Sequence, residues 1–187
     1  MNYLLGIDVG TSATKTVLFD EKGTVIASAS QEYPMYQPEN GWAEQKPEDW
    51  RDAVLKTIKE VVSQSGVDKD AVKGIGISGQ MHGLVILDDQ DNVIRPAILW
   101  NDGRTAKETD YLNNVIGKDK LSAYTANIAF AGFTAPKISR KILQRLQRLC
   151  CQRIILHINY PEHSAQMCQM LPACCFLMWN TSAGQKR

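Results

Sequence analysis

The sequence predicts an α/β domain, and three observations carry that reading. Residues 3–33 contain three strand-like runs separated by short turns, the pattern of an antiparallel meander. Apolar residues then recur at helical spacing from Trp50 to Val62, behind a proline and two acids. Residues 72–100 return to short apolar runs with glycines and acids between them, ahead of a second helical stretch.

Tyr3 to Val9 is the first strand, Gly10-Thr11-Ser12 a tight turn, and Lys15 lies just inside a second strand that runs to Asp20. Asp8 sits where the first strand runs out into the turn. Gly10 is expected to take a backbone conformation closed to other residues, and Thr11 and Ser12 add hydroxyls and N–H donors. Successive N–H groups in such a turn form an anion-binding concavity, to which Lys15 returns a positive charge. A carboxylate beside that concavity fits a Mg2+ ion bridging it to a phosphate. The same residues also suit an ordinary hairpin, because turns favour Asp, Gly, Thr and Ser. A Walker A loop is excluded, since it needs a helix after the glycines and a Gly-Lys-Ser/Thr ending.

Asp20 to Gly23 turns the chain into a third strand, Thr24 to Tyr33, with glycine where a positive φ is wanted. A loop from Pro34 to Lys46 carries Trp42, Glu44 and Gln45. Pro47, Glu48 and Asp49 open a helix, because proline suits the first turn and acids suit the positive end of the dipole. Trp50, Val54, Ile58, Val61 and Val62 form its apolar stripe through about Ser65, and Trp50 is expected to be a packing residue. Val72 to Ser78 is a strand with glycines fit for close packing, ending in Gly79-Gln80-Met81-His82-Gly83. Leu84 to Asp88 and Val93 to Trp100 pair around an acidic turn, and Asn101 to Arg104 starts a helix running to about Val115. This order suggests an actin-like, ribonuclease-H-like α/β domain.

The net charge of +1 over 187 residues hides a split. Residues 1–138 hold 19 acids against 14 bases, a net of −5, while residues 139–187 hold one acid, Glu162, against seven bases, a net of +6. All five cysteines, Cys150, Cys151, Cys168, Cys174 and Cys175, fall in the second stretch. The body therefore gives no support to a disulfide scaffold. No run is long and apolar enough for a membrane span, and a Met1-Asn2-Tyr3 start leading straight into a strand leads to the expectation of no signal peptide and a cytoplasmic location.

Four segments together, Gly6 to Ser12, Gly76 to Gly83, Pro96 to Arg104 and Gly132 to Lys137, resemble the FGGY carbohydrate kinases in that family's order, and its xylulokinase branch most. They lie within residues 3–138, the front part of the first of the family's two domains. The resemblance implies two actin-like ATPase domains with sugar and ATP in the cleft between them, of which residues 1–138 are the incomplete N-terminal part. It makes Asp8 the catalytic residue, helping to hold Mg2+ (indirectly) and the transferred phosphoryl group, with Gly10, Thr11, Ser12 and Lys15 near the phosphate. Gln80, Met81 and His82 match a segment that contacts a ketopentose. Trp100, Asn101, Asp102 and Arg104 match a segment near the sugar. The implied cofactors are ATP and Mg2+, and the implied reaction, in xylose catabolism, is phosphorylation of D-xylulose to D-xylulose 5-phosphate. By the same resemblance the base that takes the hydroxyl proton, and the adenine site, lie outside this chain, so the 187 residues are expected to be inactive alone. Neither nucleic acid nor membrane is an expected partner, and a homodimer of the complete protein stays open.

The chemistry suits those residue types. Phosphoryl transfer needs positioning and charge neutralisation more than covalent help. Histidine offers one donor and one acceptor to neighbouring hydroxyls. Each residue also has a plainer role open to it: His82 as a structural histidine, Met81, Trp42 and Trp100 as packing, Asp102 as a helix cap, Lys15 as a solvated strand residue. A kinase of ribulose, gluconate or glycerol, or a sugar-binding module without catalysis, are the alternative functions.

Residues 139–187 are expected to be an out-of-frame tail and not a native domain. After Ile138 the family pattern would continue with segments like Leu-Pro-Lys-Asp-Tyr and Asp-Val-Ser-Asp-Ala-Ser-Gly, and neither is present. Synonymous codons can be chosen for Ser139 to Arg187 so that the same bases, read two positions later, encode both segments in order and without a stop. A zinc module built on the cysteines with His157 and His163 is disfavoured, because adjacent cysteine pairs lack the usual ligand spacing. A nucleic-acid arm is disfavoured too, because the cations are scattered.

Overall fold

A computed structural model describes residues 1–88, 90–138 and 148–151. The expected meander is present as β1 (Tyr3–Val9), β2 (Ala13–Asp20) and β3 (Val25–Glu32). The helix follows as α1 (Pro47–Ser65) and the next strand as β5 (Val72–Gly79), after a two-residue strand β4 (Glu44–Gln45) within the preceding loop. One sheet has the order β3-β2-β1-β5, with β1 antiparallel to β2 and parallel to β5. Gly23 has a φ of 81°, as its turn requires, and Gly66 closes α1 with a φ of 65°.

Side chains alternate across β1, and this decides what the site can use. Leu5, Ile7 and Val9 are buried, while Leu4 and Asp8 are exposed on the other face. On β2, Thr14, Thr16 and Leu18 are buried and Lys15 is exposed. Helix α1 covers the buried face with Trp50, Ala53, Val54, Thr57 and Val61. Trp50 is only 1% exposed, which confirms its packing role. One close approach needs glycine in β5: a Cβ at Gly79 would lie 2.7 Å from Val9 O.

A second sheet has the order β4-β7-β6-β8, formed by β4, β6 (Leu84–Leu87), β7 (Ala97–Ile98) and β8 (Arg148–Cys151). Strand β6 is buried throughout. The expected strand from Val93 to Trp100 pairs with it only in pieces: Val93 bridges Leu87, Ile94 N–H donates to Ile86 O at 2.9 Å, and the pairing resumes with Ile98 opposite Leu84. Pro96 interrupts it because proline has no N–H to give. The expected helix from Asn101 also begins later. Helix α2 (Ala106–Asp110) leads through a π-helical stretch (Tyr111–Gly117) into α3 (Lys118–Thr125), and residues 101–105 form turns instead.

Among the described residues no helix is long and apolar enough to cross a membrane. Most of the tail reading lies outside the described residues. Of residues 139–187 the structure describes Arg148–Cys151, antiparallel to β6.

Candidate functional site: a hairpin turn wired to two loop segments

The turn between β1 and β2 is closed by Gly10 N–H donating to Ala13 O at 2.9 Å. Gly10 is not in the left-handed region, which corrects the expectation for it. Its glycine answers a close approach instead, because a Cβ there would meet Ala13 O at 3.2 Å. The Gly10 N–H is thus used by the turn itself, and among the described residues the N–H groups of Thr11 and Ser12 remain for an anion. Tyr33 OH donates to Gly10 O, and burial is the main reason its phenol is pushed up to about 12, so it stays a donor.

Three exposed polar residues form a row across neighbouring strands at this end of the sheet. Asp8 is opposite Lys15 in β2 and opposite Ser78 in β5. Residues in register on adjacent strands project from the same face. No cluster of three His, Cys, Asp or Glu side chains occurs among the described residues, so a metal here would depend on Asp8 together with ligand oxygens.

The turn is hydrogen-bonded directly to both expected sugar segments. Thr11 Oγ1 accepts from Trp100 Nε1 at 3.2 Å and donates to Gln80 Oε1 at 3.2 Å. Gln80 N–H extends the β5 pairing by donating to Val9 O at 2.9 Å, and its side-chain amide donates to Gln45 Oε1 at 3.1 Å. Gln45 has no exposed surface. Its amide donates to Thr11 O at 2.8 Å and to Pro34 O at 3.3 Å, and its oxygen also accepts from Trp50 Nε1 at 3.0 Å. Met81 and Trp100 remain half exposed, at 53% and 50%, leaving two broad apolar surfaces beside the turn.

His82 turns the chain with a φ of 62° and stacks on Phe133, with ring centroids 4.1 Å apart. Burial, then the Lys137 ammonium, hold its imidazole below the ordinary value. The ring is therefore neutral at neutral pH, with one nitrogen donating and one accepting.

Asp102 and Arg104 belong to an internal cluster. Asp102 is 2% exposed, and its Oδ2 accepts from Ala43 N–H and from Arg104 Nη2, both at 2.7 Å. Its Oδ1 accepts from the Arg104 N–H at 2.9 Å, an Asx turn and not the helix cap weighed as its plainer role. Arg104 also pairs with Glu44 at 2.6 Å and lies over the Trp42 ring at 3.7 Å. Burial would raise the Asp102 carboxyl, but hydrogen bonds from Arg104 and Ala43 outweigh it and hold the group below the usual carboxylate value. Asn101 is exposed and lies against the Met35 sulfur at 3.5 Å. The structure therefore brings Thr11, Gln80 and Trp100 into contact, aligns Asp8 with Lys15, and places Asp102 and Arg104 beneath the segment they follow.

Sequence reasoning did not single out Gln45, Glu44, Ser78 or Lys137 for the site. Gln45 gave no signal, because a glutamine in a polar loop looks solvated. Ser78 and Lys137 each ended or lay within a segment already marked by its resemblance.

Residues 3–147 match the N-terminal domain of the FGGY family of carbohydrate kinases, nine residues past Ile138. Xylulose kinase of Bacillus subtilis is 46% identical over 138 residues, covering 74% of this chain and 28% of that protein. A kinase structure from Brucella ovis, described as a xyloylose kinase, superposes with a TM-score of 0.78 at 36% identity, over 84% of this chain and 34% of that one. Gluconate kinase of Lactobacillus acidophilus superposes with a TM-score of 0.73 at 28% identity, over 80% and 31%. The chain spans about 28% of the length of the curated relatives it matches. These neighbours share the actin-like fold, of which the described residues form an N-terminal part, and the chain belongs to the FGGY family of carbohydrate kinases.

Proposed function

We propose that the complete protein transfers the γ-phosphoryl group of ATP to D-xylulose, giving D-xylulose 5-phosphate, and that this chain contributes the front of its first domain. The observation that carries the reading is the hydrogen-bonded chain from Thr11 of the turn to Gln80 and Trp100. It fixes a phosphate-type turn against the two segments suited to a polyol, which is the juxtaposition phosphoryl transfer requires.

The exposed Asp8 carboxylate fits a Mg2+–nucleotide phosphate group, since Mg2+ usually takes one or two carboxylates and completes its shell with phosphates and water. When bound, that ion neutralises charge on the transferred phosphoryl group. Lys15 adds positive charge in register with Asp8, and the Thr11 and Ser12 N–H groups orient phosphate oxygens. The neutral His82 ring donates to one sugar hydroxyl and accepts from a neighbour, while Met81 and Trp100 cover the carbon side of the sugar and exclude water. Residues 139–187 are, in this reading, an out-of-frame tail, supported by the synonymous coding of these residues whose shifted frame contains both missing family segments.

The test is a coupled kinase assay on the protein extended in the restored frame to the length of its relatives. D-xylulose should be turned over in preference to ribulose, gluconate and glycerol. His82→Ala should raise the KM for sugar and leave the KM for ATP nearly unchanged. Equal turnover of gluconate or glycerol would overturn the xylulose assignment, and sugar binding without ATP turnover would favour a non-catalytic module.

A further inference from the structure

Lys137 closes the last of the four family segments, and beyond its charge effect on His82 none of the roles above uses it. It is a lysine with only 3% of its surface exposed. Its ammonium donates to His82 O at 2.7 Å, to Gly132 O at 2.8 Å and to Ile98 O at 3.2 Å. These carbonyls come from three separate stretches: the loop after β5, strand β7, and the turn before Ala135–Lys137. These three carbonyl dipoles offset part of the loss of water around the charge.

The rest of the segment is built against the same loop. Phe133 stacks on the His82 ring with 10° between the planes, and Phe130 backs Phe133 at 5.0 Å. A methyl group at Gly132 would overlap the carbonyl oxygen of Trp100, so this turn lies directly on the backbone of the second sugar segment. His82 itself is held at a φ of 62°, a conformation that persists in a residue with a side chain only where its surroundings over-determine it. Lys137 and Phe133 are those surroundings.

We propose that Lys137 is a positioning residue for His82: its ammonium pins the His82 carbonyl in the left-handed turn, while Phe133 stacks the ring and holds the imidazole in one orientation. The consequence for sugar binding rests on the reading of His82 given above. Among the described residues, the Lys137 ammonium is also the charge that bears on the imidazole, adding to burial in keeping it neutral.

NMR of the His82 ring in the full chain tests this, with His82→Ala identifying its signals among those of the three histidines. Lys137→Met keeps the length of the side chain and removes the charge. It should raise the His82 titration midpoint toward the ordinary imidazole value and move the ring signals away from their Phe133-stacked positions. Phe133→Leu should abolish the stacking shift with Lys137 intact. In a D-xylulose titration of the protein extended in the restored frame, Lys137→Met should weaken binding about tenfold when His82 is present and have no effect in a His82→Ala background, the size expected of coupled neighbours. A folded Lys137→Met protein with unchanged His82 signals, or equal loss of sugar binding in both backgrounds, would overturn the proposal. If Lys137→Met does not fold, Phe133→Leu decides: His82 signals identical to those of the parent chain overturn it. Shifted His82 signals with no sugar response in the extended parent protein would uphold the positioning role and refute the sugar reading instead.

Discussion

Gln45→Met should destabilise the domain by about 3 kcal/mol, because it strips acceptors and donors from a fully buried junction while keeping a side chain of similar volume. The Trp50 indole N–H, whose ring is 1% exposed, loses its acceptor and cannot reach water, at about 1–3 kcal/mol. Thr11 O, Pro34 O and the Gln80 amide are part-buried, so each loses about 0.5 kcal/mol, the low end of a net hydrogen bond. For a chain of this length about 3 kcal/mol lowers Tm by roughly 6–12 °C. Thermal and urea unfolding followed by circular dichroism measure it. Trp50→Phe provides the decisive control, because it removes the orphaned N–H. The double variant should be more stable than the sum of the two single losses by about 1–2 kcal/mol. A Tm change under about 2 °C for Gln45→Met, or strict additivity with Trp50→Phe, would refute the argument that this junction is held by hydrogen bonds.

Asp8→Asn in the extended kinase should cut kcat by about a hundredfold or more, the scale of losing an electrostatic contact to the transition state, with little change in the KM for sugar; steady-state kinetics read both. The Asp102 carboxyl is held below its ordinary value of 3.8, so the stability it contributes is present above that pH and is lost as pH falls through the lowered folded value. Asp102→Asn should flatten the acid limb of a stability–pH profile measured by urea unfolding, and an unchanged limb would show that Asp102 does not carry it. Nucleotide sequencing across the codon for Ile138 should show that a shifted frame encodes Leu-Pro-Lys-Asp-Tyr and then Asp-Val-Ser-Asp-Ala-Ser-Gly; a gene lacking them in every frame would rule out the frameshift.

Much of the first sheet and its helix was legible in the sequence, because their determinants are local. The β1–turn–β2 hairpin follows from alternation and from turn residues at fixed offsets, and α1 follows from Pro47, the acids behind it and a stripe at helical spacing. The turn position of Asp8 and the strand position of Lys15 were read from the same local pattern, while the face they share was shown by the folded sheet. Where local signals conflicted, sequence reading went astray. Pro96 broke a run that looked like one strand, and Asp102 formed an Asx turn with Arg104 where a helix starting at Asn101 was expected.

Tertiary structure alone decided the fate of the long polar side chains. Gln45, Arg104 and Lys137 have the composition of surface residues, and nothing near them in sequence marks them as buried. They are inside because partners 35, 60 and 55 positions away converge on them: Gln80, Glu44 and the His82 carbonyl. A buried polar group is tolerated only where its hydrogen bonds are met, and which distant groups meet them is a property of the folded chain. The sequence by itself therefore determined the strands, the helix and the chemistry carried on the turn. The fold decided which residues hold that turn against the Gln80–His82 and Trp100 segments, because those contacts exist only once the two sheets and α1 have come together.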